Sequence, residues 1–395
     1  MTSQQLLILN AGSSSIKFAL FENAAGLAEI ARGQVERIGA DATIQVAEAG
    51  MRASSRPVFA DDHAGALHAI LEIASGQPGV HSIAGVGHRI THGGPDFSTP
   101  RVLDAPTLQR LAEFSAWAPL HQPYNLLAVE GARVAFPDAL QVGCFDTAFH
   151  RGHEFVADAY ALPRSYFDAG VRRYGFHGLS YQYVSAKLTE IAPDVALGRV
   201  IIAHLGNGAS MCAVKNGRSR ASTMGFTALD GLAMGTRCGQ IDPGVLLHLL
   251  SEGGLDVEAL SELLYRRSGL VGLSGISSDM RVLLADGSPS SRQAIDYFAY
   301  RARCEIGSLA AMLGGLDALV FCGGIGENSP EVRARICEGM EFLGIRLDAR
   351  ANEAKMPNIG VGDCRVLIVP TNEELVMARA VHDRLAAANN NSNPL

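Results

Sequence analysis

The sequence predicts an α/β protein built from two duplicated units, and three stretches carry that reading. Residues 6–21, LLILNAGSSSIKFALF, run as an apolar stretch, a polar turn and a second β-forming stretch with partial alternation, so they read as a strand hairpin. Residues 200–214, VIIAHLGNGASMCAV, repeat the plan as strand, turn and short strand, closed by Asn216-Gly217, a strong hairpin signal. Residues 318–337, ALVFCGGIGENSPEVRARIC, instead read as a strand, a GGIG turn and a helix with Ser329 as N-cap and Pro330 at its first position.

In chain order, the first turn gathers backbone N–H groups, serine hydroxyls and the Lys17 ammonium, all of which converge on an anion. It does not match the phosphate loop GxxxxGK[ST], which needs a helix next. A merely structural hairpin would want Asn and Gly but hardly three serines and a lysine, so phosphate contact is expected for Ser13, Ser15 and Lys17, with Asn10 beside them. In the second turn, His204 and Asn207 offer polar side chains, and Gly208 lets a phosphate approach the backbone. A core histidine with its hydrogen bonds satisfied is the alternative reading of His204. The helix after GGIG would turn free N–H groups and a positive dipole toward a nucleotide. Segments of helical character, such as 64–73 and 301–313, alternate with the strands as in α/β domains. The polar tail 387–395 is expected to fray.

A chain of 395 residues, 48% hydrophobic and 18% charged, is longer than one domain usually grows, which gives two domains with a boundary near residue 150. A net charge of −7 without a basic tract argues against nucleic acid as the partner and leaves any anion site to a few local cations. The seven cysteines are scattered and never spaced as CxxC, so neither a disulfide framework nor structural zinc is indicated. No charged segment precedes Leu6 and no apolar run approaches the roughly 18 residues of a membrane span, so a cytoplasmic protein without a membrane partner is expected. His150 and His153 form an HxxH, but no third metal ligand is evident.

Arg89 in GHRITHGG and Arg237 in MGTRCG lie among glycines, which suggests backbone pressed against a ligand. A planar guanidinium fork suits a carboxylate and a phosphoryl group alike; a surface salt bridge is the plainer alternative. Asp146 in FDTAFH and His177 in RYGFHG stand in aromatic-rich segments. In TNEELVMARA, Thr371 and Glu374 have the spacing of a capping box, which leaves Glu373 free for another task.

Taken in order from residue 9 to 374, LNAGSSSIKF, GHRITHGG, APLHQPYN, FDTAFH, RYGFHG, HLGNGAS, MGTRCG, SSDMR, GGIGEN and TNEE resemble the acetate kinase family over nearly the whole chain. The resemblance implies an actin-like, ribonuclease H-like fold of two duplicated domains with a nucleotide cleft between them. The first, residues 1–149, would be completed by 376–395, and the second, 150–375, would carry most of the nucleotide site. It implies a homodimer that reversibly transfers the γ-phosphoryl group of ATP to acetate, in line and without a covalent intermediate. Mg²⁺, replaceable by Mn²⁺, would be held by Asn10 and Glu373, partly through water. Arg89, Asp146, His177 and Arg237 are implied as catalytic, with His177 hydrogen-bonding the phosphoryl group in flight. Ser13, Ser15, Lys17, His204, Leu205, Gly206, Asn207 and Gly208 are implied on the phosphates. Asp279, Met280, Arg281, Gly324, Ile325, Gly326 and Asn328 would shape the nucleoside pocket. A carboxylate acceptor is already ionised at neutral pH, so no general base is required.

Arg89, Thr91, Leu120, Phe176 and Ala228 would hold the acceptor. Thr91 and Ala228 stand where the family usually has Val and Pro, which suggests a slightly roomier pocket and keeps propionate and butyrate open as substrates. Gln240 in GQIDP replaces a more familiar acid, and the sequence offers no account of it. An actin-like or Hsp70-like ATPase would share both hairpins but would not need the two arginines.

Overall fold

A computed structural model describes residues 4–12, 15–39, 41–76, 82–119 and 121–391. The chain divides into two compact units, Met1–Ala148 with Asn372–Leu395, and Phe149–Thr371. The return to the first unit comes at residue 372 rather than 376, because the helix Glu373–Asn391 belongs to that unit as a whole.

The first unit is built on an eight-stranded sheet: β1 Gln4–Ala11, β2 Ser15–Glu22, β3 Glu29–Glu36, β4 Thr43–Glu48, β5 Ser54–Pro57, β6 Ser82–Ile90, β7 Arg101–Val102 and β8 Leu140–Phe145, in the order β5-β4-β3-β2-β1-β6-β8-β7. The opening stretch is the expected hairpin, β1 antiparallel to β2 with Asn10 opposite Lys17. β1, β6 and β8 run parallel. Alternation along β1 sorts its side chains to two faces. Leu7 and Leu9 pack with Leu67 and Ile70 of the helix His63–Gly76 and with Ala128 and Ala132 of the helix Gln122–Ala135. On the other face, Gly87 of β6 lies against Ile8, Met377 and Val381, so the C-terminal helix covers the sheet there.

The second unit holds β9 Arg199–Leu205, β10 Ala209–Lys215, β11 Arg218–Ser222, β12 Ala318–Cys322 and β13 Arg365–Ile368, in the order β11-β10-β9-β12-β13. Ile201, Ala203 and Leu205 pack on the face covered by the helix Pro289–Leu313. Val200 and Ile202 pack with Tyr181, Val184 and Leu188 of the helix Gly178–Ile191. Asn216 and Gly217 both have positive φ, 56° and 67°, as the primed two-residue hairpin turn demands.

The order β3-β2-β1-β6-β8 in one unit and β11-β10-β9-β12-β13 in the other is the same pattern, with three antiparallel strands followed by two more parallel to the first. The duplication read from two hairpins therefore extends to the whole central sheet.

Three expectations need correction. GGIG is not a turn: the helix Gly323–Asn328 starts at the end of β12, and a second helix, Pro330–Cys337, follows with Ser329 as its cap. Gly323 makes the whole change of direction at φ 75°, where a Cβ would lie 2.8 Å from the Leu205 carbonyl oxygen. The C-terminal helix is capped not by Thr371 but by Asn372, whose Oδ1 accepts the Leu375 N–H at 2.9 Å; Asn caps at least as well as Thr. That helix continues to Asn391, well into the expected tail, through the helix-favouring run Ala386, Ala387 and Ala388.

Among the described residues no helix is long and apolar enough to cross a membrane. All seven cysteines are free thiols, and five are buried.

Candidate functional site

In the first unit the carboxyl ends of parallel strands β1, β6 and β8 bring Asn10, Arg89 and Asp146 together, at the edge where open α/β sheets take ligands. Arg89 Nε donates to both Asp146 oxygens at 3.0 and 3.1 Å, and Nη2 donates to Oδ2 at 2.6 Å. Its Nη1 donates to Asn10 Oδ1 at 3.2 Å and lies 3.7 Å from the Glu373 carboxylate. The Asp146 side chain is 2% exposed and that of Arg89 23%, so this fork-on-carboxylate pair is largely out of water. Burial works against the Arg89 charge, but Asp146 and Glu373 outweigh it and hold the guanidinium above its ordinary value. Burial pushes Asp146 above the usual carboxylate range, with Arg89 opposing and Glu373 adding to the rise.

Lys17 stands exposed beside this centre, across the hairpin from Asn10. Ser15 opens β2, and its carbonyl accepts the Gly12 N–H at 2.8 Å. Thr91 is buried, and its N–H donates to Asn125 Oδ1 at 2.9 Å while Asn125 Nδ2 donates to the Ala11 carbonyl at 2.7 Å. Asn125 thus ties β6 to the first turn, a role the reading missed although APLHQPYN contains it. His63, which had no distinguishing sequence context, contacts the Gly12 carbonyl at 2.8 Å and stacks on Tyr124. Ser13 and Leu120 lie outside the described residues.

The oxygens of Asn10, Asp146 and Glu373 surround one guanidinium, a hard-donor set that fits magnesium. Among the described residues no group of three His, Cys, Asp or Glu side chains is arranged to hold a metal. Such a donor set suits an ion that keeps waters and phosphate ligands.

In the second unit the β9–β10 turn is the centre. His204 is the penultimate residue of β9 and its ring stacks on His177, centroids 4.3 Å apart. His177 has φ 57° and stands just before the helix Gly178–Ile191, a left-handed conformation uncommon for a residue with a Cβ. A Cβ at Gly208 would lie 3.4 Å from His177 Nε2 and 4.0 Å from Arg237 Nη1, so the turn runs against both groups. Arg237 Nη1 also donates to the Ala228 carbonyl at 3.0 Å. Phe176, by contrast, is 2% exposed and belongs to the core of the unit.

The glycines around the two arginines serve packing within the protein rather than a ligand. A Cβ at Gly235 would lie 2.0 Å from Asn207 Oδ1, and the Gly235 N–H donates to the Asn207 carbonyl at 3.0 Å. A Cβ at Gly87 would strike Ile8 at 2.8 Å.

Next to the turn a cavity of about 1120 Å³ is lined by Gly206, Asn207, Asp279, Met280, Arg281, Gly324, Ile325 and Asn328, eight of the positions expected to meet the nucleotide. Its far wall, including Arg346, Asn352 and Glu353, was missed, since helix packing rather than a motif brings those residues in. Leu205 and Gly326 face elsewhere. Leu205 lies in the core, and the Gly326 carbonyl accepts from the buried Arg333 at 2.7 Å. Asp279 caps the helix Met280–Asp286 and pairs with Arg281, whose hydrogen bonds hold its carboxyl below the usual range. The HxxH is a packing network: His150 and His153 both contact Ser219 Oγ, at 2.8 and 2.6 Å. Gln240 also gains an account, since its side-chain oxygen accepts from Arg301.

Comparisons with known proteins identify the family. The family model described as the Acetokinase family matches residues 5–379. The chain is 50% identical to an acetate kinase of Methylocella silvestris, over 98% of this chain and all of that one. Its structure resembles the crystal structure of Porphyromonas gingivalis acetate kinase, with TM-score 0.86 and 36% identity, covering 97% of this chain and 100% of that chain. It also resembles a propionate kinase from Francisella tularensis, with TM-score 0.90 and 33% identity, covering 95% and 98%. With the match running from the first hairpin into the C-terminal helix and taking in both polar centres, the chain belongs to the acetokinase family.

Proposed function

We propose that this chain is an ATP:acetate phosphotransferase that makes acetyl phosphate and ADP reversibly. The observation that carries the reading is the family match over residues 5–379. The geometry supports the roles in it. The cavity beside the β9–β10 turn takes the nucleoside, while His204, Asn207, Gly208, Ser15 and Lys17 serve the phosphates. Arg89 serves as the grip on the acceptor carboxylate and the transferring group, oriented by Asp146, and Arg237 and His177 stabilise charge as it moves to the phosphoryl oxygens. Each such donor is typically worth about 10² to 10³ in rate. When bound, magnesium neutralises phosphate charge, and Asn10 and Glu373 are the residues that would hold it, with manganese as a substitute. The phosphoryl group passes directly to a carboxylate oxygen, and no proton has to be removed from the acceptor.

A homodimer is part of this reading. The helix Pro243–Ser251 buries none of its residues in its own unit and exposes Val245, Leu247 and Leu250, an apolar face suited to a second copy. Free thiols and the need for ATP support a cytoplasmic location.

Propionate is the second reading, favoured by the Francisella neighbour and by Thr91 and Ala228. Hydroxamate formation with acetate, propionate and butyrate under MgATP tests both. Acetate should lead in kcat/KM with propionate within roughly 10-fold, since one methylene in an apolar pocket discriminates by about 1–3 kcal/mol. Butyrate in first place would refute the assignment, and absence of any hydroxamate would favour a plain ATPase.

A further inference from the structure

The proposed role of His177 requires one particular nitrogen to carry its proton, and the residues behind the ring decide which. His177 Nδ1 lies 2.8 Å from Ser210 Oγ, and Ser210 Oγ in turn contacts the Tyr181 hydroxyl. Ser210 and Tyr181 are both 0% exposed, so no bulk water competes for these hydrogen bonds. Burial holds the Tyr181 phenol well above its ordinary value, and it therefore remains a donor throughout the working pH range.

The protons in this chain can be counted. Among the described residues, Ser210 Oγ is the hydrogen-bond partner of the Tyr181 hydroxyl. A buried O–H that fails to donate costs about 1–3 kcal/mol, so Tyr181 donates to Ser210. Ser210 is buried too, and its single proton cannot return to the Tyr181 oxygen that donates to it, so it is satisfied by donating to His177 Nδ1. Nδ1 is then the acceptor of the neutral imidazole, and the ring proton resides on Nε2. Nε2 is the nitrogen that faces Gly208 of the β9–β10 turn. We infer that Tyr181 and Ser210 form a buried relay that fixes His177 as an Nε2–H donor. They are positioning residues for the phosphoryl transfer, and this inference rests on the proposed role of His177.

The opposite tautomer would aim a lone pair at the phosphate oxygens and, with Ser210 Oγ then accepting from both Tyr181 and Nδ1–H, would leave the buried Ser210 proton with no acceptor. The relay also explains why Ser210 follows the GNGA turn on β10. Residues of a β-strand alternate between faces, and position 210 is the one directed toward the start of the helix Gly178–Ile191.

The test uses the full-length enzyme labelled with ¹⁵N-histidine, with long-range ¹H–¹⁵N spectra assigned through His177→Ala. The wild-type ring should show a protonated Nε2 and an unprotonated Nδ1. Ser210→Ala should give a mixture of tautomers, with kcat lowered roughly 10- to 100-fold, as when a supporting partner of a working histidine is lost, and both KM values nearly unchanged. Ser210→Thr, which keeps the hydroxyl, should restore both properties. Tyr181→Phe should mix the tautomers as well, and serves if Ser210→Ala does not fold. A wild-type proton on Nδ1, or unchanged tautomers in both variants, would overturn the relay. Wild-type kcat in His177→Ala would instead overturn the catalytic reading of that histidine, while the spectra still decide the relay.

Discussion

Replacing Arg89 by lysine keeps a positive charge and removes the planar fork, which separates geometry from electrostatics at the first centre. In the wild type two nitrogens reach the Asp146 carboxylate at 2.6–3.1 Å, and Nη1 reaches Asn10 at 3.2 Å. A lysine ammonium can keep at most one of the two contacts to Asp146 and cannot also span to Asn10. A charge-assisted hydrogen bond is worth about 1.5–3 kcal/mol, and most of the Coulomb attraction survives, so the folded state should lose about 2 kcal/mol. Asp146 is 2% exposed and finds no compensating water. The kinetic loss should be larger than the structural one suggests, because the same fork is proposed to strengthen its grip as charge spreads over the phosphoryl oxygens. We expect kcat to fall about 10² or more, equivalent to about 2.7 kcal/mol of barrier, with a rise in KM for acetate. Denaturant midpoints give the first quantity, and the hydroxamate assay at saturating MgATP gives the second. MgADP affinity should hardly move, since Arg89 is not assigned to the α- or β-phosphate. Retention of more than about a third of wild-type kcat, under 1 kcal/mol, would refute the transition-state role.

Other expectations are independent of that one. Lys17→Ala should raise KM for MgATP with little change in denaturant midpoint, because Lys17 is exposed on β2; a large stability loss with normal nucleotide kinetics would return the hairpin to a structural role. Gly235→Ala would force a Cβ to within 2.0 Å of Asn207 Oδ1 and should cost about 1–3 kcal/mol of stability together with most of the activity; a fully active, fully stable variant would contradict the packing described. His88 is buried against Gln141, and burial lowers its pKa from 6.5 to about 4. The unfolded chain therefore binds the proton first, and stability falls as pH drops through 6.5 toward 4. The loss should be about 2 kcal/mol between pH 7 and pH 5, read from denaturant midpoints, and an equally steep acid limb in His88→Gln would show that another group is responsible.

The sequence carried the fold because its strongest local signals are also its topological ones. Two hairpins with polar tips and apolar arms define the first two strands of each unit, and everything parallel to them follows. What local signals could not supply was the division of labour among glycines. Gly235 and Gly87 looked like places for a ligand, yet Asn207 and Ile8 occupy the space beside them, a fact set by residues distant in sequence. GGIG failed for a related reason, since a single glycine made the turn and released the others to a helix. At the site, Asn10, Arg89, Asp146 and His204 were legible because they sit at or beside strand ends, where direction is fixed by the sheet. Asn125, His63 and the outer wall of the cavity come from helices whose approach depends on tertiary packing, and no short-range pattern encodes it.

The discontinuity of the first unit bears on how the protein matures. Its sheet is made from the first 148 residues, but one face is completed only by the segment from residue 372 onward, after the whole of the second unit has left the ribosome. Until then Ile8 and the backbone of Gly87 lack the cover of Met377 and Val381, and a nascent chain exposes that apolar strip. The second unit, being contiguous, can fold during synthesis, whereas the first waits for closure over more than two hundred residues, a slow and entropically costly contact. Glu373 arrives with the same last helix, so the acid beside Arg89 is installed at the moment the sheet is sealed. A chain cut short before residue 372 is thus expected both to expose that apolar strip and to lack the acid beside Arg89.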